Sequence, residues 1–168
     1  QANMDFYTFV NKLKKNKKEY FKKFKDNKIY KSYNEKEIII IGSLIEKEGL
    51  DYIDKRKISS VILNRLRKNM KLQIDASVLF AITNGTYNLN RKLYLKDLKV
   101  DHPYNTYLYK GLPPKPISYV GKKTLDIIFE DYKTEYLFYF FDYSLNMHIF
   151  SKNYDEHKTK LNDYRNKK

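Results

Sequence analysis

The chain has 168 residues, 42% of them hydrophobic, which suits a single core and excludes wholesale disorder. It holds no cysteine, so disulfide staples, thiolate metal sites and a thiol nucleophile are excluded. The net charge of +14 invites a nucleic-acid reading, but lysine supplies 29 of the 34 cations and arginine only 5, whereas forked recognition of bases and phosphates favours arginine.

Abundant Asn, Ile, Tyr, Phe and Lys match the usage of an AT-rich genome, so part of the charge reads as compositional drift on solvated faces. No nucleic-acid partner is expected, and a basic surface suits any anionic polymer, including a cell-wall glycan bearing carboxylates. His102, His148 and His157 lack HExxH-like spacing, so neither a metal site nor a cofactor is expected. The longest apolar stretches, Ile38–Ile41 and Tyr136–Phe141, are far below the ~20 residues of a spanning helix. The opening Gln1–Met4 is compatible with a foreign remnant in front of a fragment lacking an upstream anchor.

In chain order, Phe6, Phe9, Val10, Leu13, Tyr20, Phe21 and Phe24 recur at helical spacing and predict a basic amphipathic helix from Asp5 to about Asn27. Asn34 followed by Glu37 has the spacing of a capping box and starts a second helix. Asp54 can cap a third, through Ile58, Val61, Ile62 and Leu66, ending near Asn69. Asp75 can cap a fourth, Ala76 to Asn84, closed by Gly85. Leu89 to Lys110 is polar, tyrosine-rich and aperiodic, and residues 111–116 (GLPPKP) form a rigid loop. Gly121 leads into a helix from Lys122 to about Tyr132. Tyr136–Tyr143 and Asn146–Phe150 predict a β-hairpin, and Tyr154 to Asn166 a closing helix. Helices followed by strands, without βαβ alternation, indicate an α+β fold.

The second helix holds the most informative residue. Read at about 100° per residue, Ile38, Ile41, Leu44 and Ile45 form one arc, with Glu48 near its centre and Glu46 roughly opposite. A carboxyl on a buried face is costly unless paired or kept protonated, and that is the environment a general acid needs. Gly49 stops the helix just after it. On this segment alone the commoner reading is a glutamate that snorkels out to solvent or pairs with one of many lysines. Gln73, Asp75 and Asn105–Tyr107 are polar residues in the irregular middle, where functional side chains usually sit. Singly, each also fits a cap or turn role.

The order of the segments is more specific. IIGSLIEKEG, SSVILNRLRKNMKLQIDAS, DLKVDHPYNTYLYKGLPPKPIS, TEYLFYFFD and HIFSKNYDEH occur in the order and spacing of the YceG-like endolytic murein transglycosylase (MltG) family. The corresponding family stretches run approximately ASIIEKET, VFxNRLRxGMxLQxDP, YNTYxxxGLPPGPI, YLYF and HxFS. The chain resembles that family over essentially its whole length. The resemblance implies residues 34–168 as one catalytic domain with a lysozyme-like cleft, preceded by residues 1–33 as a basic helix. It also implies that the membrane anchor and a small LysM-like part lie upstream of this fragment.

The resemblance implies cleavage of the MurNAc-β-1,4-GlcNAc bond within peptidoglycan strands, leaving 1,6-anhydro-MurNAc ends. The second glutamate of the EKE run, Glu48, is then the catalytic acid. Gln73 and Asp75 would lie in the cleft, Asn105, Thr106 and Tyr107 along the glycan groove, and His148 and Ser151 at its border. Arg65 on the third helix is a candidate partner for a carboxylate. Peptidoglycan strands are the implied substrate, peptidoglycan synthases are candidate partners, and the outer face of the cell membrane is the implied location. Three positions depart from the pattern: Gly49 replaces a small hydroxyl residue, Ala76 a proline, and Lys115 a glycine. A noncatalytic glycan- or nucleic-acid-binding basic module is the competing reading.

Overall fold

A computed structural model describes residues 5–167; the opening Gln1–Met4 lies outside the described residues. The elements are α1 (Phe6–Lys22), α2 (Lys28–Ser32), α3 (Glu35–Glu48), α4 (Tyr52–Arg67), α5 (Asp75–Thr83), α6 (Lys122–Glu130), β1 (Phe138–Asp142), β2 (Met147–Ser151) and α7 (Tyr154–Asn166), with a 3₁₀ turn at Asp97–Lys99. This is the expected α+β architecture, a helical body with one two-stranded antiparallel sheet. Among the described residues no helix is long and apolar enough to cross a membrane.

The hub is α3. Its start is set by a reciprocal capping box, in which the Glu37 amide donates to Asn34 (3.0 Å) and the Asn34 amide to Glu37 (2.8 Å). The helix packs against α4, α5 and α6. Ile38, Ile41, Leu44 and Ile45 meet Ile58, Val61 and Ile62 of α4 and Ile128 of α6 in one core. Burial extends beyond the predicted arc, because Ile40, Gly42 and Ser43 are buried too. The reason is a strap, residues 111–121, laid along the other side of α3. A Cβ on Gly42 would meet Val120 Cγ1 at 2.6 Å. The Ser43 hydroxyl accepts from the Ile117 amide (3.0 Å) and donates to the Ile40 carbonyl (2.7 Å), so this buried polar group is satisfied.

Besides shifts of one or two residues at the ends of α4, α5, α6, β1 and β2, three boundaries differ from expectation. The first helix ends at Lys22, and Asn27 caps a separate short α2 by accepting from the Ile29 amide (2.8 Å) while donating to the Phe129 carbonyl (2.9 Å). Asp51, not Asp54, caps α4 by accepting from the Asp54 amide (2.8 Å). Asp54 instead accepts from the Leu50 amide (3.0 Å), one residue before the cap. Finally, α5 starts at Asp75 itself, with Ile74 at the cap position and no side-chain cap bond.

The hairpin register pairs Tyr139 with Phe150 and Phe141 with His148. One face carries Tyr139 and Phe150 toward the helical body. The other lays Phe138 and Phe140 on α7, against Tyr154, His157 and Tyr164. The sheet therefore stands between α7 and the body, and its inner face reaches the C-terminal end of α3.

Candidate active site

Glu48 is the last residue of α3, and the Gly49 amide closes the helix onto the Ile45 carbonyl (2.9 Å). Each oxygen of its carboxyl meets one donor. Oε1 accepts from the backbone amide of Ala76 (3.2 Å), in the first turn of α5, and Oε2 from the Tyr139 hydroxyl (3.1 Å), on β1. Burial raises the Glu48 pKa, and the charge of Asp75 adds to the rise, while the Ala76 and Tyr139 hydrogen bonds and His148 oppose it. Burial wins. No lysine pairs with Glu48 among the described residues, so the local alternative of a simple ion pair is not what forms.

Glu46, two residues earlier, has the opposite environment. It pairs with Lys55 of α4 and accepts from the Gly121 amide (2.9 Å) at the start of α6. Although burial raises its pKa, these donors together hold it below the ordinary value. Thus Glu46 is a tie between three helices rather than a solvated side chain.

Asp75 and Gln73 are exposed on the segment that crosses the end of α3, beside half-buried Tyr107. The Tyr107 hydroxyl donates to Asp75 (2.6 Å), which lies close enough to Glu48 to influence its ionisation. Gln73 has a left-handed backbone (φ 53°), held by its amide bond to the Thr106 carbonyl (3.1 Å). An open cleft of about 780 Å³ starts at Asp75 and Ala76 and runs between Phe80, Tyr87, Lys47, Ile117 and the hairpin-tip residue Tyr143. That volume suits a ligand of a few rings.

Other residues singled out in the sequence face inward. Asn105 is fully buried: its amide donates to the carbonyls of Leu98 (3.0 Å) and Val100 (2.8 Å), and its oxygen accepts from the Tyr107 amide (2.9 Å). Thr106 is buried too, its hydroxyl accepting from the Ile74 amide (2.9 Å) and lying 2.8 Å from the Ser77 hydroxyl. These two hold the 73–75 and 105–107 segments together, so that Tyr107 alone of the three presents a side chain at Asp75. His148 is bonded to Asp54 (2.9 Å) and meets the Tyr139 ring edge-on, behind the cleft. Ser151 is buried within β2, with no hydrogen-bond partner for its hydroxyl.

Arg65 does not pair with a carboxylate. It is 6% exposed and donates to the carbonyls of Leu137 (2.5 Å), Lys71 (3.0 Å) and Leu72 (2.8 Å) and to the Gln73 side chain (3.1 Å). Its neighbour Asn64 donates to the Thr134 (2.8 Å) and Tyr136 (3.0 Å) carbonyls. The NRL segment is therefore a staple that fastens α4 to the chain leading into β1 and to the residues before α5. It fixes the two segments whose donors reach Glu48.

Two of the three departures have local explanations. A Cβ on Gly49 would meet Lys55 Cγ at 2.3 Å, so glycine leaves room for the Glu46–Lys55 pair. Ala76 supplies the amide that holds Glu48, a donor that proline lacks. Lys115 is exposed on the strap and is not itself one of the cleft-lining residues, though Ile117, two positions on, is. Sequence reasoning missed Tyr139 and Ala76. Period-two alternation groups Tyr139 with Phe141, but does not say which face of the hairpin meets α3, and Ala76 acts through its backbone alone.

Comparison with known proteins is consistent with this geometry. An endolytic murein transglycosylase of Bacillus subtilis (strain 168) is 37% identical over 164 residues, covering 98% of this chain and 40% of that protein. One from Streptococcus pneumoniae serotype 2 (strain D39) is 29% identical over 135 residues, covering 79% of this chain and 24% of that protein. The chain thus spans less than half the length of these curated relatives. The crystal structure of a yceG-like protein from Listeria monocytogenes superposes with a TM-score of 0.72 at 36% identity, covering 82% of this chain and 43% of that one. With the family model matching residues 1–163, the chain belongs to the YceG-like family.

Proposed function

We propose that this chain is the catalytic part of an endolytic peptidoglycan lytic transglycosylase, with Glu48 as its catalytic residue. The observation that carries the reading is a half-buried glutamate with no cationic partner among the described residues, held by two neutral donors, one of them the amide of Ala76, which with Asp75 lines an open cleft. The names of the relatives support it. A carboxyl whose burial favours the neutral form can give up a proton near neutral pH.

The reaction needs one such group used twice. Neutral Glu48 gives its proton to the glycosidic oxygen as the bond from that oxygen to C1 of MurNAc breaks, releasing the GlcNAc 4-hydroxyl. The resulting carboxylate takes the proton of the C6 hydroxyl of the same MurNAc, while O6 forms its bond to C1. The product is a 1,6-anhydro-MurNAc end, Glu48 is again neutral, and no water is consumed. The nucleophile belongs to the substrate, so its high effective concentration replaces the second carboxylate that most glycosidases use.

Asp75 presents negative charge beside the centre where oxocarbenium-like character develops, and Gln73 and Tyr107 flank it as candidate sugar contacts. Asn105, Thr106, His148 and Ser151 support these segments. The substrate is the glycan strand, met outside the cytoplasmic membrane, in work shared with peptidoglycan synthases. Residues 34–168 form the catalytic unit, and α1 leads into it.

Digestion of purified sacculi and of uncrosslinked nascent glycan, followed by mass spectrometry, should yield anhydro-muropeptides, and Glu48→Gln should abolish them. Products with only reducing ends would replace the transglycosylase reading by hydrolysis, with Asp75 as second carboxylate. Undiminished cleavage by Glu48→Gln would refute Glu48 as the acid.

A further inference from the structure

The two donors on Glu48 differ in kind from the groups that keep it neutral. A neutral carboxyl carries one O–H and presents one good acceptor oxygen, whereas a carboxylate accepts at both. In this site a donor is aimed at each oxygen, from α5 at 3.2 Å and from β1 at 3.1 Å. The arrangement therefore satisfies both oxygens of the carboxylate, whereas beside the neutral acid the Tyr139 hydroxyl turns to accept. Both bonds strengthen when the carboxylate forms, which is the difference that lowers a barrier.

The neighbours have their own engagements. Tyr107 is occupied with Asp75 on α5, Arg65 of α4 with three carbonyls and Gln73, and His148 of β2 with Asp54. The groups left acting on Glu48 are the Ala76 amide and the Tyr139 hydroxyl, by hydrogen bonds, and the nearby charges of Asp75 and, least of these, His148.

Resting on the reading of Glu48 as the acid, we propose that Tyr139 and the Ala76 amide are positioning groups that fix the Glu48 carboxyl and favour its carboxylate form. Asp75 opposes them, His148 acts with them, and the balance of these groups sets the pH at which Glu48 exchanges its proton. Position 76 is alanine, and a proline there would remove this donor. The proton-exchange point of this chain is accordingly set lower than that of an otherwise equal site with proline.

The test is the pH profile of kcat/KM for release of anhydro-muropeptides, read in three proteins. Cleavage requires neutral Glu48, so activity is lost as pH rises through its pKa. Tyr139→Phe keeps the ring and removes only the donor. Its alkaline limb should move up by roughly one pH unit, with kcat reduced about tenfold and KM little changed, the scale of one hydrogen bond to a charged group. Asp75→Asn, at an exposed position, should move the same limb down. A Tyr139→Phe limb that stays put while activity falls evenly across pH would reduce Tyr139 to packing and overturn the proposal, as would a downward move. Should Tyr139→Phe fail to fold, the Asp75→Asn limb decides alone, and an unmoved or raised limb overturns the proposal. If Glu48→Gln still produces anhydro ends, the functional reading fails instead, so the two failures are distinguishable.

Discussion

Replacing Arg65 by methionine tests whether the NRL staple holds the site together. The guanidinium makes four hydrogen bonds, three of them to main-chain carbonyls, and lies over the Phe138 ring at 5.0 Å. Methionine fills similar space but leaves the carbonyls of Lys71, Leu72 and Leu137 without this donor. Each buried acceptor left unpaired costs about 1–3 kcal/mol, and the lost cation–π contact about 1 kcal/mol. Against this, burying a charge is itself unfavourable, as the lowered pKa of Arg65 shows, and methionine relieves that cost. The net is about 3 kcal/mol of destabilisation, large for a single substitution. Urea denaturation followed by circular dichroism should show a lower midpoint with an unchanged slope. Because the Arg65 bonds fix the residues leading into β1 and α5, which carry the two donors to Glu48, kcat should fall further than the loss of folded protein explains. A variant within about 1 kcal/mol of the parent, with normal kcat, would refute the staple.

Glu46→Gln should lower the melting temperature, costing about 1–2 kcal/mol through the weakened Lys55 pair and Gly121 cap, while leaving the pH profile of cleavage in place. Because the folded pKa of Glu46 lies below its ordinary 4.5, its stabilisation is present above that value and is lost as pH falls through the folded pKa. Stability curves of parent and variant should therefore converge in acid, and a constant gap down to pH 2 would contradict the linkage. Gly49→Ala should disturb Lys55 and tilt the end of α3, giving lower stability and lower kcat. Its stability cost should largely vanish in a Lys55→Ala background, and a double-mutant cycle showing additivity would refute that route. Asn105→Ala should destabilise by about 2 kcal/mol by unpairing the Leu98 and Val100 carbonyls and the Tyr107 amide. Thermal unfolding checks this, and a change in KM at unchanged stability would instead return Asn105 to the groove.

Local sequence settled the parts of the fold whose causes are local. The Asn34–Glu37 box fixed where α3 starts, Gly49 where it stops, and alternating aromatics produced the hairpin. Errors came where two nearby residues could do the same job: Asp51 and Asp54 both suit a cap, and in the fold Asp51 caps while Asp54 is taken up by His148. The first helix stopped at Lys22, short of Asn27, whose side chain instead caps α2 and reaches the Phe129 carbonyl, a partner about a hundred positions away.

For the site, the sequence by itself determined that Glu48 ends a buried helix and that five ordered segments resemble one family. The helical wheel alone was a thinner argument than its result suggests, since the strap buries α3 beyond the arc it marked, and Glu46 proved to be tied rather than solvated. Which glutamate stays unpaired was decided by what other segments bring. Lys55 and Gly121 reach Glu46, whereas only an amide and a phenol reach Glu48. The same holds for Asn105 and Thr106, whose polar groups turn inward because the Leu98, Val100 and Ile74 main chain needs them. Periodicity reports which face of an element is covered, and the tertiary structure decides by what. That second fact sets the protonation of a buried carboxyl, because desolvation and its hydrogen bonds depend on atoms far away in the chain.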